Sequence, residues 1–294
     1  MSDTVQTVLA DGTIFECPTD DPITQALVAS QEVHPDHVWE PQTTRLLQYL
    51  AWQAQQVLIG GGWCGDHAIP VARHLAARGG VCHVFEPNPV LAGWIRHNSQ
   101  LNAFDNVIVS EAVLWSEPGV RVLLTAGGSH AQAVCDASGA LSTTTLDTYC
   151  RQQGLDHVSL LMLDIEGSEV AALQGATHLL QQHPAIICET HSAYTDWSHG
   201  LTATPLVQLL HHAGYTVYAL RDFQGNVPMQ GCRIELITLE TAVLDGPPHG
   251  FNLFAVHNAA VLDPAVFRIC TWVSPKLLLH KDPLLHHPTE WLTP

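Results

Sequence analysis

The chain of 294 residues carries 28 acidic against 11 basic side chains, a formal charge of −17, and 46% of it is hydrophobic. That much apolar material excludes wholesale disorder. So few Lys and Arg cannot neutralise many phosphates, which argues against nucleic-acid and anionic-membrane partners.

Protonating all 19 His would move the charge from −17 to about +2, so solubility is expected to fall toward the sequence pI of 5.4. Met1-Ser2-Asp3-Thr4 has neither the basic start nor the apolar stretch of a signal peptide, and no apolar run reaches membrane-spanning length. The eight Cys are scattered without a C-x-x-C pair, as in a protein with reduced thiols. A cytoplasmic location is the expectation.

Residues 1–50 read as an extension that covers the site. Asp11-Gly12 marks a turn, Thr13-Ile14-Phe15 a short apolar segment, and Leu46, Leu47, Leu50 and Ala54 one face of a helix over 43–55. Strand-like and helix-like segments then alternate through 51–260. Val57-Leu58-Ile59 is a strand, 68–77 a helix and 81–85 a strand. Asn88 offers an N-cap and Pro89 a first-turn proline for a helix with Leu91, Trp94, Ile95 and Leu101 on one stripe. Val107-Ile108-Val109 is a strand, Thr145 caps a helix over 146–153, and 158–163 is apolar enough for a strand buried on both faces. Val170, Leu173, Thr177 and Leu180 mark a helix, 185–188 a strand, Leu206, Leu209 and Leu210 a helix, and 215–220 a strand. The stretch 225–250 reads as an excursion, 251–256 as the last strand, and 261–294 as an irregular tail rich in Pro and His. The alternation predicts an α/β fold: a doubly wound, mostly parallel sheet with helices on both faces.

Such sheets bind ligands beyond the carboxyl ends of their strands. At the strand ends stand Gly60-Gly61-Gly62-Trp63-Cys64-Gly65-Asp66, then Glu86-Pro87-Asn88, Glu111-Ala112, Asp164-Ile165-Glu166-Gly167 and Glu189-Thr190-His191. Gly60-x-Gly62-x-x-Gly65 matches a nucleotide fingerprint, and it is also the pattern of a tight strand-to-helix turn. Glu86 is placed to accept from two vicinal ribose hydroxyls, or simply to sit at a helix N-terminus.

These segments resemble the FkbM family of S-adenosylmethionine (SAM)-dependent methyltransferases. The resemblance runs from about Asp11 to His257 and is carried by Trp39-Glu40-Pro41, the glycine loop, Phe85-Glu86-Pro87-Asn88-Pro89, Asn98, Asn102 and Glu111-Ala112-Val113. Its most specific element is Leu163-Asp164-Ile165-Glu166-Gly167-Ser168-Glu169. The resemblance implies a Rossmann-like class I sheet of seven strands with the last antiparallel, and SAM over the first two strands. It implies that Gly60, Gly61, Gly62 and Gly65 line the methionine part, that Glu86, Pro87 and Asn88 meet the ribose, and that Glu111 and Ala112 lie near the adenine. Asp164 belongs to the same cofactor set. Ile59, Trp63 and Met162 stand where the family has Asp, Asn and Lys.

Methyl transfer to a hydroxyl, or to an amide or amine nitrogen, needs an aligned acceptor and a group to take its proton. Asp164, Glu166, Glu189 and His191 are the candidates, with Glu169 behind them. A divalent metal held by the first four is an alternative arrangement. The expected acceptor is a small molecule, a sugar or a peptide natural product. The competing functions are an NAD(P)-dependent oxidoreductase on the same loop and a non-catalytic SAM-fold binding protein, the latter motivated by Ile59 and Met162. Tyr194, Trp197 and Phe223 are candidates for lining the acceptor pocket.

Overall fold

The computed structural model describes residues 3–9, 11–21, 23–25, 39–125, 130–222, 231–244, 250–276 and 288–291; Phe223 lies outside them. Strands β1 (Thr4–Val8) and β2 (Ile14–Pro18) form an antiparallel hairpin ahead of helix α1 (Pro41–Ala51). Next come β3 (Gln56–Gly60), α2 (Ala68–Ala76), β4 (Val81–Phe85), α3 (Pro89–Leu101) and β5 (Val107–Ser110). Four short strands follow: β6 (Val113–Leu114), β7 (Arg121–Leu124), β8 (Ala133–Cys135) and β9 (Leu141–Thr144). The chain continues through α4 (Leu146–Gln153), β10 (Leu160–Leu163), α5 (Glu169–Gln174), α6 (Thr177–Leu180) and β11 (Ala185–His191). It ends with α7 (Pro205–His212), β12 (Thr216–Leu220), β13 (Ile234–Thr238), β14 (Gly250–Val256) and β15 (Phe267–Cys270).

The main sheet has the order β15-β13-β12-β14-β11-β10-β3-β4-β5. The five strands from β11 to β5 are mutually parallel, and β14 runs antiparallel to both β11 and β12. The expected seven strands with one reversed are therefore present. Two more widen the sheet: β13 pairs antiparallel with β12, and β15 lies parallel to β13. The chain leaves β3 for β4 and β5 on one side and for β10 and β11 on the other. The switch point is thus between β3 and β10, where this architecture binds ligands.

Each face of the sheet carries its own core. Leu46, Leu47, Val71, Leu75 and Ile95 bring α1, α2 and α3 onto one face against Val57, Ile59 and Met162. On the other face Leu146, Leu173, Leu179, Leu206 and Leu210 bring α4 to α7 against Leu58, Leu161 and Leu163. The periodicity of these helices is what lets each bury one stripe. Asn98 and Asn102, one turn apart on α3, hold the hairpin as a neighbouring strand would. Asn98 accepts from Glu16 N (2.8 Å) and donates to Glu16 O (2.9 Å), and Asn102 accepts from Ile14 N (2.7 Å).

Several boundaries differ from the sequence expectation. The first helix starts at Pro41 and ends at Ala51, so it crosses the expected division at residue 50 and contributes to the core. The helix expected from Val170 to Leu180 is two helices, interrupted at Gly175, where a Cβ would meet Trp115 O at 2.3 Å. The excursion at 225–250 contains β13, and the tail expected to be irregular contains β15. Residues 113–144, which carry no clear period, form a small sheet of order β6-β9-β7-β8. Finally, β11 continues to His191, so Glu189 and His191 sit on the strand rather than beyond it.

Candidate active site

The glycine loop leaves β3 at the switch point. Gly61 adopts φ +81°, and a Cβ there would lie 1.7 Å from Asp164 O, so only glycine allows the loop to pass the end of β10. A Cβ at Gly62 would lie 2.5 Å from Ile95 Cδ1, which requires a bare backbone between β4 and α3. Gly65 takes φ +95° and closes the turn with its N–H on Gly62 O (2.7 Å).

Glu86, at the end of β4, is bound to this loop. Its Oε2 accepts from Gly62 N (3.3 Å) and Trp63 N (3.1 Å), and its Oε1 accepts from Asn88 N (2.9 Å). Burial raises its pKa against the opposing effect of these three N–H groups. The loop and the carboxylate therefore fix each other; with two N–H groups on Oε2 and one on Oε1, it is Oε1 that retains lone-pair capacity.

A cavity opens above the loop, lined by Gly61, Trp63, His67, Glu86, Pro87, Ala112, Asp164 and Glu166 among others. Trp39 contributes from the extension, and Leu124, Ala131 and Ala133 from the small sheet. The other residues expected at the cofactor lie around it. Gly60 is the last residue of β3, and Gly62 and Gly65 shape the loop behind the lining. Asn88 caps α3 by accepting from Val90 N (3.0 Å). Glu111 turns outward to Arg96 Nη1 at 2.8 Å, where only Ala112 of the pair reaches the cavity. One observation fits a nucleotide cofactor: Trp63, which lines the cavity, has its Nε1 buried with no hydrogen-bond partner among the described residues. The same Trp63 has φ +39° and an 8% exposed side chain, so its backbone bends the loop while its ring packs in a small core with Phe15, Cys64 and Leu91.

Beside the cavity the acids converge. Asp164, Glu166 and Glu189 each bring a carboxylate oxygen within 4.8 Å of the other two, the spacing of a group that can share one hard cation. Burial first, and then Glu40, Glu166 and Glu169, holds Asp164 well above the usual carboxylate range. Burial followed by Asp164 and Glu166 does the same to Glu189. Glu166, at φ 54°, is gripped from two sides: Tyr194 donates its hydroxyl to Oε2 (3.0 Å), and His130 Nδ1 lies 3.2 Å from Oε1. Glu169 folds back on the turn, accepting from Ile165 N (2.9 Å) and Gly167 N (3.3 Å), and burial lifts its pKa to about 7. His191 is not part of the convergent trio. Its Nδ1 accepts from Ala193 N (3.0 Å) and its ring stacks on Tyr194 at 5.0 Å.

Sequence reasoning passed over a second layer around His67. Nε2 of this buried imidazole lies 3.6 Å from both Glu40 Oε2 and Asp66 Oδ2, and Nδ1 is 3.1 Å from Thr44 Oγ1. Burial alone would depress its pKa, but Asp66 and Glu40 raise it to about 9, so it is a cation at neutral pH. Glu40 also accepts from Asn252 Nδ2 (2.5 Å) and lies 3.8 Å from Lys276 Nζ. These contacts with His67, Lys276 and Asn252 overcome burial and hold Glu40 below the usual range. Asp222 joins the layer by accepting from Gln42 N and Thr43 N at the start of α1. The one sequence signal for His67 is its place directly after the glycine loop. Apart from the adjacent Asp66, its partners Glu40 and Thr44 come from the extension and α1, and Glu40 in turn is tied to β14 and the tail, segments the sequence does not bring together.

The chain matches the family described as Methyltransferase FkbM domain over residues 64–217, from inside the glycine loop to β12. No curated protein matches it. Among solved structures, an O-methyltransferase from Bacillus cereus in complex with SAH is 17% identical. That alignment covers 80% of this chain and 90% of that one, with a TM-score of 0.42. The O-methyltransferase TomG from Streptomyces achromogenes, involved in tomaymycin synthesis and solved in complex with SAM, is also 17% identical. It covers 80% of this chain and 89% of that one, with a TM-score of 0.44.

Proposed function

This chain belongs to the FkbM methyltransferase family, and we propose from that premise that it transfers the methyl group of SAM to a hydroxyl on a small molecule, sugar or peptide acceptor. One observation carries the reading: a groove at the switch point has the glycine turn on one wall, Glu86 at the neighbouring strand end, and Asp164 and Glu166 of the turn after β10 in its lining, with Glu189 of β11 within 4.8 Å of both. When bound, SAM supplies a sulfonium methyl that is already electrophilic. The chain's own residues have the remaining tasks. Gly61, whose bare backbone lets the loop pass the end of β10, forms part of the groove's wall. Glu86, held by three N–H groups, presents a fixed carboxylate to the ribose hydroxyls. Such fixed positioning is worth several kcal/mol in an in-line displacement.

The acceptor's proton passes to a strand-end carboxylate. Asp164, Glu166 and Glu189 are the groups near enough to one another to act on one acceptor atom. Their raised or constrained carboxyls hold a proton more readily than free ones do, which suits a general base working near neutrality. An amide or amine nitrogen is the alternative acceptor on the same geometry. A second reading concerns how the proton is made labile. Three converging carboxylates suit Mg or Mn, and such an ion would acidify a hydroxyl held beside it.

Calorimetric titration with SAM, its demethylated product SAH, and NAD tests the reading. SAM and SAH are expected to bind one per chain and NAD not at all. Binding of NAD in preference would favour the oxidoreductase, and binding of none of the three would favour a non-catalytic relative.

A further inference from the structure

A second cavity, of about 290 Å³, lies on the other side of the Asp164–Glu169 turn from the groove. Its walls include Glu169, Glu189, Tyr194, Asp196, His199 and Leu206, drawn from the turn, the end of β11 and the segment leading into α7. Among the described residues no Lys or Arg lines it. The two cavities meet at the acids: Asp164 and Glu166 line one, Gly167, Glu169 and Glu189 the other, and carboxylate oxygens of Asp164, Glu166 and Glu189 lie within 4.8 Å of one another.

The chemistry of this second cavity is one-sided. Glu189 has no hydrogen-bond or ion-pair partner among the described residues, although burial and its acidic neighbours penalise its charge. Glu169 is 6% exposed, and the bonds from Ile165 N and Gly167 N both fall on Oε1, which leaves Oε2 unengaged by them. Tyr194 stands over Gly167, its hydroxyl committed to Glu166, so it offers ring rather than donor to the cavity. A cation entering here would meet the carboxyl groups of Glu169, Glu189 and Asp196, and would relieve the repulsion among the acids. An anion would meet these acids, with His199 as the one basic side chain among the described lining residues.

We propose that this cavity is the acceptor subsite and that it selects acceptors carrying a protonated amine beside the group to be methylated, while rejecting phosphorylated and carboxylated ones. The inference rests on the methyltransferase reading and adds the substrate class to it. The size of the cavity, at the low end for small-molecule sites, fits an amino alcohol, an aminosugar or an amine-bearing phenol rather than a polymer.

The test uses SAH-saturated full-length protein and a matched pair of probes, tyramine and 4-hydroxyphenylacetate, which differ chiefly in carrying an ammonium or a carboxylate. Equilibrium binding is read by saturation-transfer NMR, and SAH affinity is read separately by calorimetry. Tyramine is expected to bind at least about tenfold more tightly, the effect of one partly buried charge pair. Glu189→Gln should cut that preference to about threefold or less, and Asp196→Asn at an exposed position should lower it by about twofold, both with SAH affinity unchanged. Equal binding, preference for the carboxylate, binding of neither probe, or a preference untouched in both variants would overturn the inference while SAH binding stands. Absence of SAH binding to the wild-type protein would instead overturn the methyltransferase reading, and this inference with it.

Discussion

Ile59 and Met162 sit opposite each other in the parallel pairing of β3 and β10, and neither exposes any surface. They occupy two of the three positions at which this sequence departs from the pattern it resembles, where Asp and Lys are usual. The two departures are thus neighbours in the sheet, an apolar pair with no charge to desolvate. Asp66, His67, Glu86 and Asp164 line the groove beside them.

Ile59→Asp alone should destabilise the fold by about 3 kcal/mol or more, since it places an unpaired carboxylate in a dry layer. Adding Met162→Lys should recover a measurable part. Urea unfolding of the two single variants and the double variant gives the coupling directly. A double variant no more stable than the sum of the singles would mean that the two positions do not interact.

Glu86→Gln keeps the shape of the side chain but sets an amide against the N–H groups of Gly62, Trp63 and Asn88. SAM affinity should fall by about 10- to 100-fold, the worth of charge-assisted bonds to one carboxylate. Calorimetry measures it, with circular dichroism to confirm the fold. Unaltered affinity would remove Glu86 from the ribose and leave it a loop staple.

His67 ties stability to pH. Its folded pKa of about 9 stands above the ordinary 6.5, so its contribution is complete below about 6.5 and is lost as pH rises through 9. Glu169, raised to about 7 from 4.5, acts with the same sign at lower pH: its contribution is complete below 4.5 and lost through 7. The thermal midpoint should therefore fall as pH is raised from 6.5 to 9.5. His67→Asn should flatten the upper part of that slope, as thermal scans across this range would reveal. An unchanged slope in the variant would place the titrating group elsewhere.

A cation held by Asp164, Glu166 and Glu189 would leave a spectroscopic trace. If the metal reading is right, Mn added to the protein should give a bound electron-paramagnetic-resonance signal that Glu189→Gln abolishes. Methyl transfer should then be lost in EDTA. Full activity in EDTA would leave the carboxylates as the only proton acceptors.

The strands that were plain in the sequence are those buried on both faces. Leu160–Leu163 and the first four residues of β11, Ala185 to Cys188, are continuous apolar runs that need no partner to be recognised. By contrast β13 and β15 lie at the sheet's far side among Gly and Pro, and only their pairing makes them strands. The small sheet over 113–144 was hidden for a similar reason: its strands are two to four residues long and half exposed, too short to show a period. In the site, the strand-end acids were legible because topology puts them at the switch point. For Glu111 a strand end sets a backbone position and not a side-chain direction, and the structure shows its carboxylate on Arg96. The ties among His67, Glu40, Asn252 and Lys276 were illegible because each joins segments far apart in the chain.

The central claim is that the adenosyl group of the cofactor lies across β3 and β4 with its sugar on Glu86. A crystal structure of the protein with SAH tests it most directly. The predicted result is both ribose hydroxyls within hydrogen-bond distance of the Glu86 carboxylate and the sulfur facing Asp164. A nucleoside bound away from Glu86, or a groove closed to it, would contradict the account.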